Sequence, residues 1–251
     1  MTATHNIDPF PPRWESVDTG NLPEVLRYAV DMFHPRLTQA SSFGLEDVAL
    51  IHALVGIRKD VRVFALDTGR LPEETYECAE RIRTRYGVQV DWYFPRADQV
   101  EALEKNKGLF SFRESVANRI ECCGIRKVEP LNRALKDVDA WITGQRKEQS
   151  ITRTALNVLE RDHAHGDIWK FNPLADWTLD EVWAYVREHE IPYNRLHDHG
   201  YPSIGCAPCT RAIAPGEDQR AGRWWWENPE HKECGLHNRK VDHREYERGN
   251  L

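Results

Sequence analysis

Long apolar runs are missing from this 251-residue chain. None approaches the ~18 residues that a membrane-spanning helix requires, so no span is expected. The opening MTATHNIDPFPPRW lacks a basic region followed by an apolar stretch. No secretory signal is expected from it, and the cytoplasm is the expected compartment. An excess of positive charge is missing as well. Lys and Arg number 34 against 40 Asp and Glu, a net charge of −6, which argues against general nucleic-acid binding but allows local basic patches. Internal repeats and low-complexity segments are absent. So are a Walker A sequence and a GxGxxG turn, the two commonest fingerprints for nucleotide phosphates.

What is present is ordinary in bulk, with 40% hydrophobic and 29% charged residues. A chain of this length buries one good core, so one α/β domain with appendages is expected. Residues 1–20, rich in proline and polar groups, read as an arm. Residues 21–200 read as the α/β domain, and residues 201–251 as a C-terminal segment with a mobile tail. Within the domain PEVLRYAVDMF has helical spacing, and EDVALIHALVGI reads as an amphipathic helix. PEETYECAERIRTRYG is a third helix, with Pro72 suited to its first turn and Gly87 to its end. TLDEVWAYVREHE is a late helix with Thr178 as N-cap. RLTQAS, VRVFALD, VQVDWYF and DAWITG read as strands. Their alternation with helices points to a mostly parallel, twisted sheet with helices on both faces.

In such sheets ligands bind beyond the carboxyl ends of the strands. Three distinctive segments fall there: Ser41-Ser42-Phe43-Gly44, Leu66-Asp67-Thr68-Gly69 and Thr143-Gly144-Gln145-Arg146. The first opens a helix, and its hydroxyls, glycine and amides form a candidate anion cradle. Arg146, Lys147 and Arg153 follow the last expected strand, and Arg220 and Arg223 lie near the C-terminus. Gathered at strand ends, they suit an oxyanion-rich ligand; taken singly, each is better explained as a solvated base. The run Trp224-Trp225-Trp226 reads as core and interface packing.

The chain has six cysteines, and their spacing is uneven. Cys122 and Cys123 are adjacent, Cys206 and Cys209 form a C-x-x-C, and Cys78 and Cys234 stand alone. In a reducing compartment, clustered cysteines are better read as metal-binding or catalytic than as disulfides. Four thiolates could hold zinc or a [4Fe-4S] cluster. Adjacent side chains on a helix diverge by about 100°, so the pair needs a kink or a larger, multi-metal object, which favours iron–sulfur. Lys127, one helical turn after Cys123, would bring an ammonium near the thiolates. Cys234, in Lys232-Glu233-Cys234-Gly235-Leu236-His237, is a candidate nucleophile beside lysine and histidine. No second cysteine follows it, so an outside thiol would have to release any covalent product. Cys78 occupies an apolar position of its helix and reads as core.

SSFGLED resembles the SGGxDS phosphate loop of ATP pyrophosphatase-like nucleotide-binding proteins. Ser42, Gly44 and Asp47 match, while Phe43 replaces a glycine and Val48 the final serine. Those departures weigh against ATP cleavage and against a zinc-bearing nucleotide-activating ligase or thiolase. The motifs CCGIRK with Pro130-Leu131, CAPCT, ECGLH, SFGLED, LDTG and GQRKEQSITR resemble, over residues 40–237, the assimilatory adenylyl-sulfate (APS) reductases. These are the iron–sulfur branch of the phosphoadenylyl-sulfate (PAPS) reductase family.

The resemblance implies an adenine nucleotide alpha hydrolase-like fold and one [4Fe-4S] cluster on Cys122, Cys123, Cys206 and Cys209. It implies adenosine near residues 66–69 (Leu66, Thr68 and Gly69 among them) and Gly144. Phosphosulfate would lie among Ser42, Lys127, Arg146, Arg220, Arg223 and His237, with Gly44 a further substrate-binding residue. Cys234 would be the nucleophile, and reduced thioredoxin or a glutaredoxin-like dithiol donor the partner. A homo-oligomer is expected. A PAPS or dual reductase is the alternative of the same class, and a non-catalytic metal-binding nucleotide module the alternative of another. ECGLH beside a phosphate cradle speaks against the module.

Overall fold

Apolar and β-branched stretches of four or five residues supply most of the central sheet. The computed structural model describes residues 10–149 and 155–228. Its strands are β1 (Leu37–Ser41), β2 (Arg62–Leu66), β3 (Val90–Tyr93), β4 (Ala140–Ile142), β5 (Leu159–Asp162) and β6 (Ile168–Phe171). They lie in the order β3-β2-β1-β4-β6-β5. All neighbours are parallel except β5, which runs antiparallel to β6. The expected mostly parallel sheet is therefore present. β5 and β6, not expected from sequence, extend it by an edge hairpin. From β1 the chain builds one way through β2 and β3 and the other way through β4. A crevice at the carboxyl ends of β1 and β4 is the topological consequence.

Strand alternation sorts the core into faces. Val63 and Ala65 of β2 pack with α2 (Leu45–Ile57), α3 (Glu73–Tyr86) and α7 (Leu179–Glu188). Phe64, between them, packs on the opposite face against Leu131, Ala134 and Leu135 of α6 (Glu129–Leu135). α1 (Leu22–Phe33) joins the first face over Leu37, Ala140, Ile142 and Phe171. Helices thus cover both faces, unevenly.

α2 departs from its amphipathic reading. Val48, Ala49, Leu50, Ile51 and Leu54 are all buried, because α1, α3 and α7 pack around the helix as it lies on the sheet. The valine, leucine and isoleucine side chains among them each contribute roughly 1.5–3 kcal/mol on burial.

The helix ends follow local chemistry. Asn21 accepts the Glu24 N–H at 3.1 Å, and Thr178 forms a full capping box with Glu181. Gly87 ends α3 in the left-handed region at φ 67°, where it has no Cβ to strain. Pro72 stands at the N-cap of α3 rather than inside its first turn. The described part of the arm lies on the core, with Trp14 buried against Tyr28 and Phe171 at ring distances of 5.3 and 5.9 Å. Cys78 is fully buried among apolar side chains.

Candidate active site

Beyond the carboxyl ends of β1, β2 and β4 opens a cavity of about 270 Å³. Three strand-end loops meet in its wall: Ser42 and Gly44 after β1, Leu66 and Thr68 at the end of β2, Gly144 and Arg146 after β4. Lys127, Arg220 and Arg223 add a cationic side, and Phe64, Leu131 and Trp141 an apolar one. An apolar side beside clustered cations can receive a base and its phosphates. Gly69 is not in this wall. Its N–H donates to Asp67 Oδ1 at 2.7 Å, and its φ of 69° serves the turn. Arg153, Cys234 and His237 lie outside the described residues.

The turn between β1 and α2 is tied differently from the open cradle suggested by its sequence. Ser42 donates both its N–H (2.5 Å) and its hydroxyl (2.8 Å) to Asp47 Oδ2, and Phe43 N–H donates to Ser41 Oγ at 3.1 Å. The loop is closed on its own carboxylate. Burial pushes the Asp47 carboxyl up to about 6, although the Ser42 bonds pull the other way. Among the described residues no side chain caps α2 at Gly44, so the anion-favouring end is the uncapped first turn of the helix.

Arg146 differs from the expected bare cation. Its fully buried guanidinium pairs with Glu46 at 2.8 Å and Glu148 at 2.9 Å and reaches the Trp177 carbonyl at 3.2 Å. It braces the wall of the cavity. Lys147, likewise, pairs outward with Asp176. His197, also in the wall, is held below the usual histidine range by burial.

A second, smaller cavity adjoins the first. Cys122, Cys123, Cys206 and Cys209 all line it, together with Arg70, Phe112, Arg119, Arg126, Lys127, Arg223 and Trp224. The adjacent pair ends α5 (Val116–Cys123), and the chain continues as a π-helical turn, Gly124–Val128, before α6. That widened turn is the local departure from α geometry that the pair calls for. The other pair brackets a 3₁₀ turn, with Cys209 N–H on the Cys206 carbonyl at 2.9 Å. Thr68 Oγ1 lies 3.2 Å from Cys206 Sγ, and Ala207 N–H donates to the Arg70 carbonyl at 2.8 Å. These contacts fix the C-x-x-C turn to the end of β2.

Burial and the neighbouring Cys206 push the Cys209 thiol up to about 12, and burial raises Cys122. Among the described residues, the metal-ligating side chains in this wall are thiols, surrounded by arginine and lysine. That chemistry fits an anionic thiolate-bound metal group. Lys127 and Arg223 line both cavities, so the wall between them is cationic.

The sequence profile of the phosphoadenosine phosphosulfate reductase domain matches residues 36–212. The chain belongs to this family. An adenosine 5'-phosphosulfate reductase of Burkholderia cepacia is 54% identical over 81% of each chain. One of Allochromatium vinosum is 49% identical over 91% of each. The crystal structure of PAPS reductase from Candida auris, a phosphate complex, superposes with a TM-score of 0.65 at 33% identity, covering 77% of this chain and 90% of that one. The family membership agrees with the resemblance drawn from the motifs.

Sequence reading did not single out Arg70, Arg119, Glu46 or His197. Arg119 was open to helical spacing, since it stands three and four residues before the cysteine pair and therefore on the same side of α5. Arg70, Glu46 and His197 reach their cavities through tertiary packing that no local pattern announces.

Proposed function

We propose that this chain is a thioredoxin-dependent adenylyl-sulfate reductase acting in sulfate assimilation towards cysteine. The observation that carries the reading is the shared wall: Lys127 and Arg223 border both the strand-end crevice and the four-cysteine cavity. A nucleotide whose sulfate end reaches that wall would meet fixed positive charge where charge develops on the bridging oxygen. APS would lie with its base on the apolar side and its phosphosulfate among Lys127, Arg220, Arg223 and the first turn of α2. Arg146, paired with Glu46, would hold that turn rather than bind the substrate.

The thiolate of Cys234 would attack the sulfur atom, forming an S–S bond while the S–O bond to AMP breaks. The product is an enzyme S-sulfocysteine and free AMP. One thiolate of reduced thioredoxin, or of a glutaredoxin-like donor, then attacks the Cys234 sulfur and sulfite leaves with the electron pair. The second thioredoxin thiol resolves the mixed disulfide, returning the Cys234 thiolate and oxidised thioredoxin. Both electrons come from the dithiol.

Cys122, Cys123, Cys206 and Cys209 would hold a [4Fe-4S] cluster, whose negative charge would order the surrounding cations beside the substrate. The relatives at 49–54% identity carry the APS name, which supports APS over PAPS; the PAPS or dual reading is decided by comparing turnover of the two nucleotides. The deciding experiment for the mechanism is incubation with APS in the absence of thioredoxin, followed by peptide mass mapping. One sulfite unit on Cys234 is expected. The adduct on another cysteine, or none at all, overturns the mechanism.

A further inference from the structure

Arg119 leaves α5 on the side that carries the cysteine pair and ends in a nearly dry ion pair. Its Nε donates to Glu227 Oε1 at 2.9 Å and its Nη2 to Oε2 at 2.9 Å. The two side chains are only 2% and 4% exposed. The same guanidinium lies 4.7 Å from the ring centre of Trp224, and Arg223 contacts that ring at an equal 4.7 Å.

Trp224 is itself unusual. It is 1% exposed, and its φ of 41° puts a bulky aromatic in the left-handed region. A residue with a Cβ stays there only where its surroundings over-determine it. Trp224 N–H donates to the Cys209 carbonyl at 3.1 Å, and Glu227 N–H to the Trp224 carbonyl at 2.9 Å. Thr210, next to Cys209, bridges Arg223 in antiparallel fashion. One cysteine pair is thus joined to residues 223–227 through backbone, and the other through Arg119.

From this geometry we infer that the Arg119–Glu227 pair is a clamp that sets the spacing of the two cysteine pairs and seals their cavity with Trp224. Arg119 is a positioning residue: its guanidinium is paired with Glu227 and stacked on Trp224, and it acts on the thiols through α5 and through Trp224. The inference rests on the cluster reading above and deepens it, assigning to this chain's own residues the retention of the group. A buried ion pair costs desolvation, and an apolar pair of similar volume often folds as well. The charge pair is therefore not needed for stability alone, and its bidentate geometry is what an apolar replacement loses.

The test uses the cluster-loaded protein. The double variant Arg119→Leu/Glu227→Leu should keep its circular dichroism and thermal midpoint near those of the parent. Its visible iron–sulfur absorbance should bleach in air about tenfold faster, since a loosened wall admits oxygen and lets the cysteine pairs drift apart. Should the double variant fail to fold, Arg119→Lys keeps the charge but loses the fork, and it should bleach faster at an unchanged thermal midpoint. Glu227→Asp, which keeps the carboxylate, should bleach more slowly than the double variant. Bleaching at the parental rate in the folded double variant, or in Arg119→Lys, overturns the clamp. A parent protein that carries no iron after anaerobic purification removes instead the cluster reading on which the clamp depends.

Discussion

The guanidinium of Arg223 lies against the bare Cα of Gly205: a Cβ built there would come within 2.4 Å of Nη2 and 2.6 Å of Cζ. Gly205 immediately precedes the C-x-x-C turn, and Arg223 borders both cavities. The glycine is therefore the space in which the shared cation sits. Gly205→Ala would displace the arginine rather than the backbone, because the clash is with the far end of a side chain. The folded protein should survive. Nucleotide affinity should fall about tenfold or more, the loss expected when a charge-assisted contact of roughly 1.5–3 kcal/mol is removed. Calorimetric titration with APS checks this, and unchanged affinity would show that Arg223 does not meet the nucleotide.

Gly144 presents the opposite case. A Cβ there would lie 2.5 Å from Asp47 Oδ1, 2.8 Å from Glu46 Cβ and 3.3 Å from the Asp47 amide nitrogen. Helix α2 cannot yield cheaply, since it is packed on several sides. Gly144→Ala should cost on the order of 1–3 kcal/mol of stability as an overpacked site and weaken nucleotide binding as the first turn of α2 is pushed back. Urea denaturation and binding measured together check both. A stable variant with parental affinity would contradict the close approach.

The fold was largely legible because its central strands and helices follow period-two and 3.6-residue patterns that local sequence carries. Leu37, Val63 and Ala140 mark buried strands, and Thr178 with Glu181 marks a helix start. β5 and β6 were not legible: Glu160, Arg161 and Lys170 interrupt the apolar pattern that marks a buried strand. In the structure Lys170 pairs with Glu160 at 3.0 Å across the hairpin, with both side chains below 10% exposure. The cysteine pairs could be read as one site, since a shared metal group is the economical use of them. The cavity that gathers them depends on the π-helical turn and on Arg70, which only tertiary structure reveals. The pairing of Arg146 with Glu46, 100 residues apart, was equally beyond local reading.

Iron and sulfide should each be found at about four per chain after anaerobic purification, the composition of a cubane. The four thiols gathered in one wall and their cationic surround motivate this expectation. A colourless, zinc-loaded protein with full activity would exclude it.

Cys234→Ser should abolish sulfite release and leave nucleotide binding within about twofold, since the hydroxyl is a far weaker nucleophile than a thiolate. Steady-state sulfite production and equilibrium binding separate the two effects. Substantial residual turnover would mean that another group attacks sulfur. Cys78 is a poor substitute, because burial holds its thiol up at about 12.

Asp47 makes stability depend on pH in a direction that can be worked out. Its carboxyl stands at about 6 in the folded chain against 3.8 as the reference value, chiefly because of burial. Between those values the folded state binds the extra proton, so the contribution is fully present below about pH 4 and is lost as pH rises through about 6. Asp47→Asn cannot ionise, and its side-chain oxygen can still accept the Ser42 N–H. The variant should therefore gain on the parent as pH rises from 4 to 7, by on the order of 2–3 kcal/mol for a two-unit shift. The difference in unfolding free energy, followed by denaturant titration across that range, is the measurement. A difference that does not change with pH would mean that Asp47 titrates in the folded protein as it does in the unfolded chain.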